Sequence, residues 1–166
     1  MIRFARIIAT WFGLGYVPKG PGTAGSVGAI LIALALHEFR NATPLTFAAL
    51  ALLVAIPGVW AADAVVKQLV GDPIIPAAPR KEKIDPQFIV VDEVIGQWIA
   101  LAGALRLNWI SWIAAFVLFR LFDIFKPPPV RQLENLPGAV GIIADDVMAG
   151  IYAALVLFAA GWFNLY

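Results

Sequence analysis

Two stretches of the chain are apolar on every side of a helix rather than along one stripe. Residues 44–62, PLTFAALALLVAIPGVWAA, and 147–165, VMAGIYAALVLFAAGWFNL, carry no charged side chain. A helix needs roughly 20 such residues to cross the hydrocarbon core of a bilayer, so both predict membrane spans. Shorter apolar runs occupy 24–36, 94–105 and 109–119. The last two are separated by the tripeptide RLN, a break that predicts a tight helical hairpin. The run 24–36 predicts a helix that crosses obliquely or lies partly inside the bundle.

The remaining segments are of another kind. At the N-terminus, Arg3 and Arg6 flank Ile2, Phe4, Ile7, Ile8 and Trp11, the pattern of a helix lying along a membrane surface. The apolar run there is short, and no small-residue cleavage site follows it, so no secretory leader is expected. The stretch 71–87, GDPIIPAAPRKEKIDPQ, is dense in proline and charge and predicts an irregular loop.

Composition strengthens the membrane reading. The 166 residues are 61% hydrophobic and 14% charged, and mean hydropathy is +0.86, far from the quarter-charged composition of soluble domains. The expectation is an all-α integral membrane bundle of about four to five apolar helices, forming one membrane-embedded domain over 1–166. A net charge of +1, with no basic and aromatic groove pattern, argues against nucleic acid. Lysine and arginine set the orientation. With the N-terminus inside, the inner segments hold Arg3, Arg6, Lys19, Lys67, Arg80, Lys81, Lys83, Arg120, Lys126 and Arg131, whereas the outer ones hold only Arg40 and Arg106.

That orientation places Asp92, Glu93, Asp123, Asp145 and Asp146 together at the inner face, near Arg120, Lys126 and Arg131. Carboxylates crowded at a low-dielectric boundary repel one another and take up protons unless a cation neutralises them. Oxygen donors with no soft ligand favour Mg²⁺ over zinc or copper. Helix capping accounts cheaply for one aspartate at a helix start. It accounts less well for a neighbouring second acid, and not at all for Asp123, for which an ion pair with Arg120 is the simpler alternative. DEVIG at 92–96 and DDVMAG at 145–150 echo one another, each an acidic pair before a glycine-bearing apolar helix.

Two further elements fit phosphate chemistry. In FRLFDIFKPPP, Arg120, Asp123 and Lys126 are spaced three apart and share a helical face until prolines end the helix. In PKGPGTAGSVGAI, four glycines with Lys19, Thr23 and Ser26 precede an apolar helix. The arrangement is a candidate oxyanion cradle, or a simple Gly/Pro turn opening a helix. Cysteine is absent, and the one histidine, His37, falls on the outer side, which argues against phosphocysteine and phosphohistidine routes. No D-x-D-x-T/V run and no CDP-alcohol phosphotransferase run D-G-x-x-A-R occurs. Water attack on a lipid phosphate, assisted by a metal and a carboxylate base, remains. The competing readings are another Mg²⁺-dependent lipid phosphatase or phosphotransferase, and a small cation transporter. Transport predicts carboxylates along mid-membrane helices rather than at one face.

PGTAGS (21–26), DPQFIVVDEVIGQW (85–98), FVLFRLFDIFKPPPVR (116–131) and GAVGIIADDVMAGIYA (138–153) together resemble the phosphatidylglycerophosphatase A family. The resemblance runs from about residue 11 to the last helix, and the 71–83 stretch departs from it. It implies an all-α enzyme of the bacterial inner membrane, with its site facing the cytoplasm. Such an enzyme hydrolyses phosphatidylglycerophosphate to phosphatidylglycerol and phosphate with Mg²⁺. Carried onto matching positions, it points to Asp92, Glu93, Asp123, Asp145 and Asp146 as the catalytic and metal-binding set. Within that set we expect Glu93 and Asp146 to be metal ligands, with Asp145 or Asp92 positioning the water. The resemblance points also to Arg120, Lys126 and Arg131 as phosphate ligands; Thr23 and Ser26 either bond the phosphate or satisfy backbone groups at the helix start.

Overall fold

A computed structural model describes residues 1–71 and 86–166. The expected loop at 71–87, with Arg80, Lys81 and Lys83, lies almost wholly outside the described residues. Among those described, every regular element is helical: α1 (Ile2–Ala9), α2 (Pro21–Arg40), α3 (Pro44–Val70), α4 (Val91–Ala102), α5 (Trp109–Phe125), α6 (Val130–Glu134) and α7 (Ala139–Trp162), with one 3-10 turn at Leu14–Tyr16. Helices α2, α3 and α7 are long and apolar enough to cross a membrane. Helices α4 and α5 are apolar but, at 12 and 17 residues, shorter. The five apolar helices of unequal length match the hydropathy pattern.

Local chemistry sets the boundaries. Helix α2 follows Gly20, whose φ of 69° is left-handed, and begins with Pro21, a residue suited to the first helical position. Thr43 and Asn108 close capping boxes at α3 and α5; Asn108 accepts from the Ser111 amide at 2.9 Å. Helix α5 stops at Lys126, which is left-handed with φ 44°, ahead of three prolines that cannot continue it. Helix α7 begins at Ala139, eight residues before the apolar run at 147. The difference matters: Asp145 and Asp146 sit at the end of the second turn rather than at the helix mouth, so they cap nothing.

The packing departs from that of a soluble protein. Small residues such as Ala29, Ala33, Ala51, Ala61, Ala62, Ala100, Ala149 and Ala153 fill much of the interior beside Phe47, Ile95, Leu101 and Phe119, whereas Leu31, Leu52, Leu53, Ile56, Ile113 and Leu155 are exposed. In lipid, large apolar side chains gain nothing by turning inward, and small ones let backbones approach. Gly96 and Gly150 show the limit. A methyl group on Gly150 would strike the Gly96 carbonyl, and one on Gly96 would strike the Phe119 ring and lie 2.6 Å from the Asp146 carbonyl oxygen. Helices α4 and α7 are therefore in backbone contact at this crossing. Gly58 brings α3 onto Val91 and Ile95 of α4, and Gly25 brings α2 onto Val90. Short α1 lies on the second half of α3, where Phe4 meets Trp60 and Arg6 donates to Gln68.

A candidate metal and phosphate site at one end of the bundle

The glycine crossing explains why the acids meet. Gly96 lies four residues after Asp92, and Gly150 four after Asp146, so each aspartate is one turn before the contact and on the same face. Holding the glycines together holds these two carboxylates together. Consecutive residues on a helix point about 100° apart, so the second member of each pair faces elsewhere. Glu93 turns toward the start of α2: a methyl group on Gly22 would collide with its Oε1 and lie 3.3 Å from Arg120 Nη1. Asp145 turns toward the end of α5, where Lys126 donates to its Oδ2 at 2.7 Å. The correspondence between the two motifs is thus set by the glycines, Asp92 matching Asp146, while Glu93 and Asp145 diverge.

Asp92, Glu93 and Asp146 each offer a carboxylate oxygen within 4.8 Å of the others. The two aspartates are buried and Glu93 is partly exposed. Asp92 Oδ1, Glu93 Oε2 and Asp146 Oδ2 are buried with no hydrogen-bond partner among the described residues. Leaving charged oxygens dry and unsatisfied is expensive, and a dication held by all three would remove that cost. An all-oxygen donor set suits a hard ion. Asp123 lies beside Asp146 and Glu93 and pairs with Arg120 at 2.7 Å. That ion pair is the simpler alternative weighed for Asp123, and it forms at the edge of the acidic cluster itself.

Lys126 bridges Asp145 at 2.7 Å and Glu134 of α6 at 3.2 Å. Partial burial works to lower its pKa, but the hydrogen bonds and charges of Asp145 and Glu134 outweigh that, and the net shift is upward. A raised lysine pKa means that the stability it contributes is present below the ordinary lysine range and is lost only as pH climbs through the elevated value. Lys126 therefore stays cationic throughout the neutral range.

The remaining expected phosphate contacts divide. Ser26 is buried and its hydroxyl donates to the Gly22 carbonyl at 3.0 Å, a bond within its own helix. Thr23, Lys19 and Arg131 are exposed, and neither Lys19 nor Arg131 forms an ion pair with the acidic cluster among the described residues. Gly22 closely approaches Glu93, and as the second residue of α2 its amide has no acceptor within the helix. Asp63 pairs with Lys67 at 2.6 Å on the surface of α3, as its four-residue spacing predicts.

Two residues near the acids escaped the sequence reading. Glu134 sits in a short helix that no apolar period marks. Gln97 had a signal: it is the one polar side chain in the apolar run 94–105. It is fully buried, with neither amide atom bonded among the described residues. It follows Glu93 by one turn, and helical side chains lean back over the preceding turn, toward the carboxylates.

Comparison with known proteins identifies the family. A family model described as Phosphatidylglycerophosphatase A matches residues 7–161. A Bacteroides thetaiotaomicron protein named "Putative phosphatidylinositol-3-phosphatase" is 41% identical over 94% of this chain and 92% of its own length. Proteins named Phosphatidylglycerophosphatase A from Haemophilus influenzae and Escherichia coli are 36% and 34% identical, over 96% and 93% of this chain and 90% and 82% of theirs. No solved structure matches. Four ordered motifs converging on one acidic cluster, and a match covering nearly the whole chain, place this protein in the phosphatidylglycerophosphatase A family of membrane lipid phosphatases.

Proposed function

We propose that this chain removes the terminal phosphate of phosphatidylglycerophosphate, releasing phosphatidylglycerol and inorganic phosphate, with Mg²⁺ as cofactor. The observation that carries the reading is the convergence of Asp92, Glu93 and Asp146, from two helices, into one oxygen cluster beside Arg120. In this reading the three carboxylates hold the dication. When bound, Mg²⁺ supplies charge to stabilise the phosphoryl oxygens and acidity to lower the pKa of water. Arg120, oriented by Asp123, binds the phosphate oxygens, and planar guanidinium suits that task. Thr23 stands at the open edge of α2 as a further donor. Asp92 or Asp145 orients the attacking water and takes its proton. Lys126 and Glu134 keep Asp145 in place at the rim, and Arg131, Lys19 and Ser26 act at most through the lipid surface or the backbone.

The excess of lysine and arginine at the acidic end supports a cytoplasmic site on the bacterial inner membrane. The name of the Bacteroides relative supports a second substrate, a phosphoinositide monoester, to be tested beside the first. Purified protein in detergent is given each lipid with Mg²⁺, with EDTA, and with Mg²⁺ restored, and free phosphate is measured. The reading expects phosphate from phosphatidylglycerophosphate, loss with EDTA and recovery with Mg²⁺. Activity unchanged by chelation would remove the metal, and loss of the lipid phosphate only when an alcohol acceptor is added, with the phosphoryl group recovered on that alcohol and no free phosphate, would make the protein a transferase. Faster release from the phosphoinositide would change the substrate.

A further inference from the structure

A groove of about 540 Å³ runs between α2 and α5, walled by Val27, Leu31 and Leu34 on one side and Trp112, Ile113 and Phe116 on the other. It exists because α2 spends its small face elsewhere: Gly25 packs on Val90, and Trp98 of α4 donates to the Ala29 carbonyl at 3.1 Å. The face carrying Val27 and Leu31 is left partly exposed.

The groove's two walls lead to the site. Residues four apart share a helical stripe. One turn back from Val27 on α2 is Thr23, and one turn on from Phe116 in α5 is Arg120. The apolar trough, whose lining ends at Val27 and Phe116, is therefore aimed at Arg120 one turn further on, whose guanidinium lies near Glu93 and Gly22. At its other end the trough closes on His37, Glu38 and Asn108. From Val27 to Glu38 the helix rises by roughly 16 Å, so the groove follows the bundle axis for more than half of α2. The cavity between α3 and α7 is similar in size, but its one ionisable wall residue is Asp63, which is paired with Lys67.

We propose that the α2–α5 groove seats one acyl chain of the lipid whose phosphate is held beside Arg120. This rests on the phosphatase reading and specifies how that site takes a lipid. A substrate anchored by its phosphate at the groove's polar end has to send its hydrocarbon along the membrane normal, and the trough lies on that line. Because lipid tails are as apolar as the groove walls, the groove provides little affinity. It provides direction, fixing the phosphorus relative to Arg120 and the carboxylates. Thr23 then stands where headgroup and chain meet.

The test has a kinetic arm and a binding arm. In the first, Val27→Trp fills the groove near the site and Ile56→Trp fills the α3–α7 cavity, and phosphate release is compared for dioleoyl and dihexanoyl phosphatidylglycerophosphate. The ratio of kcat/KM values, long chain over short, is expected to fall about tenfold in Val27→Trp, the loss of one good positioning contact, and to match wild type in Ile56→Trp. An unaltered ratio in Val27→Trp overturns the proposal.

The second arm needs no turnover. In a Trp109→Phe background, emission that disappears on Trp112→Phe reports the groove. Phosphatidic acid brominated along one acyl chain is expected to quench that emission more strongly than identically brominated phosphatidylcholine. Equal quenching by both lipids means that bulk lipid fills the groove, and no quenching by either means that protein covers it. Either result overturns the proposal. Preferential quenching without hydrolysis of phosphatidylglycerophosphate would retain the groove and discard the substrate.

Discussion

The two acidic pairs look alike in sequence and differ in what their helices do with them. Asp92 and Glu93 fall in the first turn of α4, where any carboxylate is favoured by the helix dipole. Asp145 and Asp146 fall deeper, on a helix with no acid in its first turn, so the dipole offers them little. Both members of the first pair enter the oxygen cluster, whereas the second sends Asp146 there and Asp145 to Lys126. An acid placed where helix physics gives no return is the clearer mark of chemistry. Asp146 is the residue by which the site is best judged.

The largest effect is expected from Asp146→Asn, which keeps shape and removes charge. Phosphate release should fall below about a tenth of wild type, given what metal catalysis supplies, while the protein still inserts and melts cooperatively. Next comes Lys126→Met, which removes the cation from the Asp145 and Glu134 contacts. Losing a charged hydrogen bond at this partly buried position costs about 2 kcal/mol, read as a lowered unfolding midpoint in detergent. Asp145→Leu is then added to ask whether this acid serves the metal. If the double variant keeps its Mg²⁺ dependence, Asp145 stands outside the metal set; if it loses it, the two acidic pairs are equivalent after all.

Gly22→Ala should be milder. Its methyl group meets the tip of Glu93, a side chain that can move, so the fold should survive while activity drops about tenfold, a loss of ~1.4 kcal/mol in transition-state stabilisation. The smallest effect is on Gln97→Leu. Removing a buried amide without a partner should stabilise the fold by about 1 kcal/mol. A simultaneous fall in activity would mean that the amide serves the site, and unchanged activity would make it a packing residue.

Much of this was legible in the sequence because it follows from periodicity. The apolar runs gave the helices, and RLN gave the α4–α5 break. The acidic residues stood out because charge is costly beside such runs. The start of α7 was not legible: GAVGIIADD carries two charges and two glycines, so hydropathy places the span too late. The division of the acids was hidden for another reason. Which aspartate meets which partner depends on the Gly96–Gly150 crossing, and a glycine in sequence does not say what packs on it. Glu134 belongs to the Lys126 site only because α6 folds back there.

The most direct measurement is calorimetric titration of Mg²⁺ into the purified wild type and the Asp92→Asn/Asp146→Asn double variant, with phosphate release followed on the same samples. The account predicts saturable binding and matching activation in the wild type, both absent from a folded double variant. Equal Mg²⁺ binding by the two proteins, or full wild-type turnover with no metal bound, would contradict it.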